Sequence, residues 1–266
     1  MDFKRMQLFE LADQDWFPSV LRTCMVNYLE RLHELVGTAD VLGERWAAEI
    51  QTHGYRHVLD CCSGNGGLAT TILTALQSRG VSVEMTLTDK FPQSWTGSGE
   101  HIQYEQTPKD LNQLGEWSIP EDTLLTINSA FHHFNPTAAR SILATAHQRR
   151  IPICIYEMSN NAQPKWLWWL AILPAMIGTL FLTPTLKRLS WQQLVLTYLI
   201  PILPICIAWD GAVSNARTYT REDLTLLIKE FDQEYTWEIV EVSGQAPMPM
   251  LLCMGRPEIE GGSITK

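Results

Sequence analysis

The chain has 266 residues, a length that suits one α/β domain with an insertion. Hydrophobic residues make up 45% and charged residues 18% of it, near the globular average, which excludes a disordered or collagen-like chain. The formal net charge of −9 argues against a nucleic-acid partner, because phosphate backbones are bound by surplus lysine and arginine. The same charge is compatible with a cationic small molecule.

The cysteines and the first residues bear on the compartment. No two cysteines have the C-x-x-C spacing, and most lie in apolar stretches, which predicts buried thiols in a reducing compartment such as the cytoplasm. The N-terminus leads into an amphipathic pattern rather than an apolar signal core, so we expect no secretory peptide. The six cysteines are Cys24, Cys61, Cys62, Cys154, Cys206 and Cys253.

Residues 1–52 predict an N-terminal helical cap, because apolar side chains recur there at three- and four-residue steps, with a break at Pro18. From residue 57 onward, short apolar runs alternate with helical stretches, which predicts a parallel sheet with right-handed crossovers. The predicted strands are 57–61, 83–88, 102–105, 123–128 and 153–156, and the predicted helices between them include 68–78 and 136–148.

Residues 163–218 interrupt this alternation. Segments 166–186 and 189–209 are apolar and contain no acidic residue, and each is about long enough to span a bilayer, which takes ~20 residues. Tryptophan and tyrosine near their ends, with the Lys187-Arg188 pair between them, fit a membrane hairpin. A helical lid or a homodimer element explains the same residues, and prolines interrupt both runs at Pro174, Pro184, Pro201 and Pro204.

The alternation resumes with a helix at 222–231 and strands at 235–242 and 250–254, which predict an antiparallel sheet edge. Residues 53–162 and 219–258 are therefore predicted to form the α/β core. Residues 259–266 are predicted to be a tail.

The most informative stretch begins at Val58, where a strand ends in Asp60 and a glycine turn opens a helix. Glycines let the backbone pass close to a ligand, and the helix N-terminus offers free N–H groups. Such a turn, here Ser63-Gly64-x-Gly66, binds either a dinucleotide or S-adenosylmethionine. An aspartate four residues before the first glycine, together with the predicted hairpin at the end of the chain, favours S-adenosylmethionine.

In these features the chain resembles the class I S-adenosylmethionine-dependent methyltransferases, over about residues 55–160 and 220–257. The resemblance implies a Rossmann-like seven-stranded sheet with N-terminal helices and a helical insertion between strand five and the last helix. It also implies cofactor contacts from the first turn, from a ribose-binding acid after strand two, from an adenine-binding segment after strand three, and from the loop after strand four. These residues are Asp60, Ser63, Gly64, Gly66, Asp89, Lys90, Asp110, Leu111, Asn128, Ser129, Phe131 and His132.

Four residues are predicted to line the methyl acceptor: His133, Glu157, Asp210 and Tyr219. The two carboxylates would attract an amine or guanidine, and Trp209, as an aromatic wall, and Tyr219 would add cation–π attraction. His133 would act as base toward an oxygen acceptor. A buried ion pair with Arg217 is the alternative role of Asp210, because an unpaired charge after an apolar run is costly.

No metal site is predicted, because adjacent histidines should point their rings to opposite sides and no third ligand is spaced nearby.

Two further segments, one around Trp209 and one at the N-terminus, resemble those of a bacterial group of methyltransferases that shares the apolar insertion. The N-terminal segment contains Glu10, Asp13, Trp16 and Pro18.

The sequence thus predicts an N-methyltransferase for a small amine or guanidine in bacterial specialised metabolism, of the natural-product kind. The alternatives are an O-methyltransferase and a membrane-associated methyltransferase-like module that binds without catalysis. A nicotinamide oxidoreductase is a third class that the glycine turn alone would also allow.

Overall fold

The computed structural model describes residues 3–92, 99–231, 234–245 and 249–258, so the predicted tail at 259–266 lies outside the described residues. The strands are β1 (His57–Cys61), β2 (Glu84–Thr88), β3 (Ile102–Tyr104), β4 (Thr123–Asn128), β5 (Ile153–Glu157), β6 (Tyr235–Val242) and β7 (Met250–Pro257). The helices are α1 (Ser19–Val36), α2 (Thr38–His53), α3 (Gly67–Ser78), α4 (Pro136–Gln148), α5 (Lys165–Leu170), α6 (Ile172–Leu182), α7 (Trp191–Leu194), α8 (Ile202–Arg217) and α9 (Arg221–Ile228).

The strands form one seven-stranded sheet in the order β3-β2-β1-β4-β5-β7-β6. Strands β1 to β5 are parallel, and β7 runs antiparallel between β5 and β6. The predicted methyltransferase-type sheet is therefore confirmed. The strand order reverses between β1 and β4, and in open α/β sheets ligands bind at the carboxyl ends of the strands beside such a switch point.

The N-terminal segment differs from its prediction. Residues 3–18 contain no helix or strand, and α1 begins only at Ser19, directly after Pro18. The segment lies against distant parts of the chain instead: Met6 donates its backbone N–H to the carbonyl of Ala216 at 2.7 Å. A left-handed Gly37, with φ of 74°, separates α1 from α2.

Helix α2 belongs to the main core. Its Trp46 is fully buried in a cluster that includes Ile72 of α3 and Leu87 of β2, and its indole N–H contacts Cys154 Sγ at 3.3 Å. A second core on the other face of the sheet surrounds α4 and contains Tyr219. These two cores hold the strand ends in fixed positions.

The insertion packs on α1 rather than on the sheet. Leu203 and Ile207 of α8 share a third core with Leu21 and Met25 of α1. In the described residues no single helix is both long and apolar enough to cross a membrane. The segments Trp191–Leu199 and Ile202–Arg217, which meet at an angle of 87°, together have the length and the apolar composition of such a helix.

Many apolar side chains of the insertion stay exposed, which is typical of a contact surface. Membrane contact and dimerisation through residues 163–209 both remain predictions. The most exposed of these side chains are Trp166, Leu170, Leu173, Phe181, Trp191, Leu199 and Ile200.

Candidate functional site

The glycine turn after β1 forms the floor of the candidate cofactor site. Gly64 and Gly66 adopt left-handed φ angles of 57° and 73°, and Cys62, which lacks that freedom, has a φ of 60°. Strained backbone of this kind collects at functional sites. The turn is held from both sides, because Ser63 donates its hydroxyl to the Asp60 carbonyl at 2.8 Å and the Tyr104 hydroxyl donates to the Gly64 carbonyl at 2.7 Å.

Asp60 places a buried carboxylate at the end of β1. The residue is 3% exposed, and its Oδ1 accepts hydrogen bonds from Thr126 Oγ1 at 2.8 Å and Asn128 Nδ2 at 2.7 Å. Burial raises the pKa of Asp60 to about 6, and these hydrogen bonds only partly oppose that shift. A carboxylate in such surroundings is stabilised by any cation that arrives beside it.

Asp89 connects the loop after β2 to the glycine turn. Its Oδ2 accepts the Gly64 N–H at 2.8 Å, and its Oδ1 accepts the Phe91 N–H at 2.7 Å. Burial raises the pKa of Asp89, whereas the two N–H groups lower it. An ionised carboxylate has about four acceptor positions, so Asp89 can still accept from two hydroxyl groups. The neighbouring Lys90 is exposed, with its Nζ 5.3 Å from the Phe91 ring.

The last residue of β4 and the first residue of the loop after it contribute buried polar atoms to the same edge of the sheet. Among the described residues, Asn128 Oδ1 and Ser129 Oγ are buried and make no hydrogen bond. Ser129 has a left-handed φ of 51°, and Phe131 behind it is fully buried. Buried polar atoms are normally paired, so these two indicate a ligand or a water molecule at this edge.

The predicted adenine-binding pair has a different local role. Asp110 caps the short 3-10 helix Leu111–Glu116 by accepting from the backbone and side-chain nitrogens of Asn112, at 2.9 and 2.8 Å. Leu111 is 3% exposed and packs in the second core. The Leu111 side chain is therefore not available to a ligand, whereas Asp110 caps the helix through Oδ1 alone and its adenine contact stays a prediction.

Helix α1 packs against the glycine turn after β1. The sequence did not predict this contact. Asn65 Nδ2 donates to Asn27 Oδ1 at 3.1 Å and to Glu30 Oε2 at 2.8 Å, both on α1. Arg22, also on α1, lies 4.5 Å over the ring of Phe91. One helix therefore contacts the loops after both β1 and β2.

Glu157 was predicted to line an open acceptor site, but its side chain is buried against His132. Its Oε1 accepts the backbone N–H of His132 at 2.9 Å, and its Oε2 lies 2.8 Å from His132 Nδ1. The residue is 5% exposed. The sequence correctly placed His132 on the loop after strand four and Glu157 at the end of strand five, but Glu157 orients His132 instead of contacting an acceptor.

Asp210 is an anchor for the N-terminal segment. Its two carboxylate oxygens accept the backbone N–H groups of Leu11 at 2.7 Å and Ala12 at 3.0 Å, and burial raises its pKa to about 6. The alternative role of Asp210, an ion pair with Arg217, is also wrong. Arg217 Nη1 lies 2.7 Å from Asp13 Oδ2 instead, because its side chain turns toward the loop after β4.

Tyr219 is likewise removed from the acceptor. It is 1% exposed, its hydroxyl donates to the Phe134 carbonyl at 2.8 Å, and Arg5 Nη1 donates to that hydroxyl at 2.8 Å. Burial raises the pKa of Tyr219 to about 12. Trp209, predicted as an aromatic wall, donates its indole N–H to the Phe9 carbonyl at 3.2 Å.

The two histidines after β4 lie side by side. Their ring centroids are 4.3 Å apart and their planes differ by 32°, so the expectation of rings on opposite sides is wrong. Both face Glu10: His132 Nε2 is 3.6 Å from its Oε1, and His133 Nδ1 is 3.5 Å from its Oε2. His133 Nδ1 also lies 2.7 Å from Asp13 Oδ1.

His133 keeps 32% of its side chain exposed, more than the other three predicted acceptor residues, which are buried. Burial disfavours its charged form, but the carboxylates of Glu10 and Asp13 raise the pKa of His133 to about 9. His133 and Arg217 together hold the pKa of Asp13 well below its usual range, although burial acts in the opposite direction. Glu10 and Asp13 were visible in the sequence only as parts of a resembling segment.

No protein-family model matches the chain, and no curated protein matches it. Solved structures similar to it include an O-methyltransferase family protein from Burkholderia thailandensis, 13% identical with a TM-score of 0.48, covering 87% of this chain and 58% of that one. Human N-acetylserotonin methyltransferase in complex with SAM is 12% identical with a TM-score of 0.49, covering 87% and 54% respectively. Magnesium protoporphyrin IX methyltransferase from Synechocystis PCC 6803 with bound SAH is 11% identical with a TM-score of 0.46, covering 85% and 87%.

The chain spans just over half the length of the first two of these proteins. At such low identity, none of these likenesses bears on what this chain binds or does.

Proposed function

We propose that the chain is an S-adenosylmethionine-dependent methyltransferase acting on a small molecule. One observation carries the proposal: the buried Asp60, the left-handed glycine turn and Asp89 meet at neighbouring strand ends, directly beside the switch point of the sheet. The reversed β7 between β5 and β6 favours this interpretation over a nicotinamide oxidoreductase, whose doubly wound sheet is mostly parallel with the order 3-2-1-4-5-6.

The residues of the site suit the parts of S-adenosylmethionine. Asp60 offers a negative charge to the ammonium group, and the turn at Gly64 and Gly66 lets the ligand approach the backbone. Asp89 has acceptor positions for the two ribose hydroxyls. Asn128 Oδ1 and Ser129 Oγ, which are buried without partners, are available to further donors of the ligand.

When bound, the cofactor supplies an electrophilic methyl group on a sulfonium. The chain itself needs to align the acceptor in line with that group and to exclude water, which in well-oriented reactions lowers a barrier by roughly 7–11 kcal/mol. The three cores hold the strand ends and α1 in place, as such alignment demands.

The nature of the acceptor atom is a separate part of the proposal. The prediction of N-methylation rested on Glu157 and Asp210 as groups that attract an amine or guanidine. Their carboxylates instead accept hydrogen bonds from His132 and from the N-terminal segment. His133 is the predicted acceptor residue that keeps substantial exposure. Its Nδ1 lies 2.7 Å from Asp13 Oδ1, so that carboxylate would orient the ring of His133 beside an oxygen acceptor.

Binding of S-adenosylhomocysteine tests the proposal. We expect one molecule per chain in calorimetry, and we expect Asp89→Ala to weaken binding by roughly 1.5–3 kcal/mol, the range for hydrogen bonds to a charged group. Asp122→Ala is the matched control, because Asp122 lies exposed beside His57 at the opposite edge of the sheet and should leave affinity unchanged. Equal affinity of Asp89→Ala and wild type would remove Asp89 from the site, and no binding by the wild type would reject the cofactor.

The affinity for S-adenosylhomocysteine should also fall in acid. The ammonium group favours the carboxylate form of Asp60, whose pKa in the free protein is about 6. Below that pH the free protein carries a proton that the ligand must displace, so we expect binding at pH 5 to be about tenfold weaker than at pH 7.5. Asp60→Asn should bind weakly at both pH values. Affinity that stays constant or rises in acid would contradict the role of Asp60.

A further inference from the structure

We infer that Glu10, His132 and His133, with Asp13 beside them, bind one divalent transition-metal ion, of the kind that imidazole and carboxylate ligands hold. Glu10 comes from the N-terminal segment and the histidines from the loop after β4. Their ligand atoms all lie within 4.8 Å of one another. Zn²⁺ is the expected ion, since it prefers nitrogen and oxygen ligands of this type.

The spacing between Glu10 and the two histidines is that of ligands, whereas Asp13 Oδ1 lies at hydrogen-bond distance, 2.7 Å, from His133 Nδ1 and would support that ring. Glu10 Oε1 is 3.6 Å from His132 Nε2, and Glu10 Oε2 is 3.5 Å from His133 Nδ1. Hydrogen bonds between such atoms are typically about 2.7–3.2 Å long, so both separations are too great. Zinc binds nitrogen and carboxylate oxygen at about 2.0–2.2 Å, which puts two of its tetrahedral ligands about 3.3–3.6 Å apart.

Two buried polar atoms of the cluster provide a second observation. Among the described residues, Glu10 Oε1 and His133 Nδ1 are buried and make no aligned hydrogen bond. Glu10 itself is 3% exposed. Arg217 Nη1 approaches Glu10 Oε1 at 3.2 Å, but its aligned hydrogen bond goes to Asp13 Oδ2. Both atoms point into one cluster where their charged neighbours, Asp13 and Arg217, lie at ion-pair distance without the alignment of a hydrogen bond, which leaves room for a cation as a further partner.

Glu157 supplies the support that metal-binding histidines usually have. Its Oε2 lies 2.8 Å from His132 Nδ1, which favours a proton on Nδ1 and leaves the lone pair of Nε2 facing Glu10. A carboxylate behind a metal-ligating imidazole is a recurrent arrangement, because it fixes the tautomer and the ring orientation. Without a cation between them, that lone pair and the Glu10 carboxylate would repel each other.

The charges around the cluster agree with this assignment. The carboxylates of Glu10, Asp13, Glu157 and Asp210 surround it, and the permanently positive groups beside it in the described part of the chain are the guanidinium groups of Arg5 and Arg217. A divalent ion would balance the excess of negative charge around the cluster. The partly exposed edge of His133 leaves a path from solvent to the ion.

The test uses the untagged full-length chain after chelator treatment, with Co²⁺ followed by visible absorption and Zn²⁺ by calorimetry. We expect one ion per chain. Glu10→Gln should weaken binding at least tenfold, and Glu157→Gln should weaken it about 10–100-fold, the usual effect of losing the carboxylate behind a ligating histidine. His53→Gln is the matched control, since it removes another His–Glu pair, with Glu49, outside the cluster.

No saturable binding by the folded wild type would overturn the site, and so would binding that Glu10→Gln and His133→Gln both leave unchanged. His133→Gln serves if Glu10→Gln fails to fold, because His133 is the more exposed ligand. Binding is measured without a methyl donor, so the result does not depend on the proposed function.

Discussion

Replacing Arg217 by Met should lower the free energy of unfolding by about 3–5 kcal/mol, the usual cost of removing one partner from a buried ion pair. Arg217 is 3% exposed, and its guanidinium lies 2.7 Å from Asp13 Oδ2 and 3.2 Å from Glu10 Oε1. It also donates to the carbonyls of His132 and His133. The substitution removes this guanidinium from two carboxylates and two carbonyls, and urea denaturation measures the loss.

Lys4→Met is the matched control, because its ion pair with Glu222 is exposed on both sides. Exposed pairs contribute about 0–1 kcal/mol, so its unfolding curve should nearly overlay that of the wild type. Arg217→Lys keeps the charge but not the planar fork and should fall between the two. If Arg217→Met lost less than about 1 kcal/mol, the N-terminal segment would not be held by this network.

The second large effect concerns Trp46, which joins α2 to the sheet. Trp46→Ala should lower the free energy of unfolding by about 3–5 kcal/mol, because it removes a fully buried indole from the main core and leaves a cavity. Its indole N–H would also no longer contact Cys154 Sγ. Chemical denaturation followed by circular dichroism measures this change, since the signal does not depend on the lost tryptophan.

Trp191→Ala provides the comparison, since Trp191 lies in the insertion with 69% of its surface exposed. We expect a change within about 0.5 kcal/mol for that variant. Similar losses in both variants would mean that α2 is not an integral part of the core.

Local periodicity was enough to predict much of the sheet. Strands β1, β4 and β6 and helix α4 have the predicted bounds, because alternating apolar runs and 3.6-residue repeats are local properties of the chain. Residues 3–18 show where this fails. Their apolar spacing suggested a helix, but the N–H groups of Leu11 and Ala12 are satisfied by Asp210, about two hundred residues away. A single sequence contains no signal for that contact.

In the candidate site, too, the residues defined by local sequence could be predicted, and those whose contacts depend on the fold could not. Asp60, Gly64 and Asp89 could be predicted because a strand, a turn and a helix start define them locally. The acceptor residues could not, since Glu157 and Asp210 are engaged by groups brought together only by the fold. Adjacent histidines looked incompatible with a shared ligand, whereas the short 3-10 helix Phe131–His133 aligns their rings.

Hydrogen exchange of the backbone amides tests the central claim, that the cofactor lies over the ends of β1, β2 and β4. With saturating S-adenosylhomocysteine, followed by mass spectrometry, we expect slower exchange in peptides covering residues 62–67, 89–91 and 128–131. Peptides from the exposed helices of the insertion should exchange as they do in the free protein. Protection confined to other parts of the sheet, or no protection anywhere at saturation, would contradict the account.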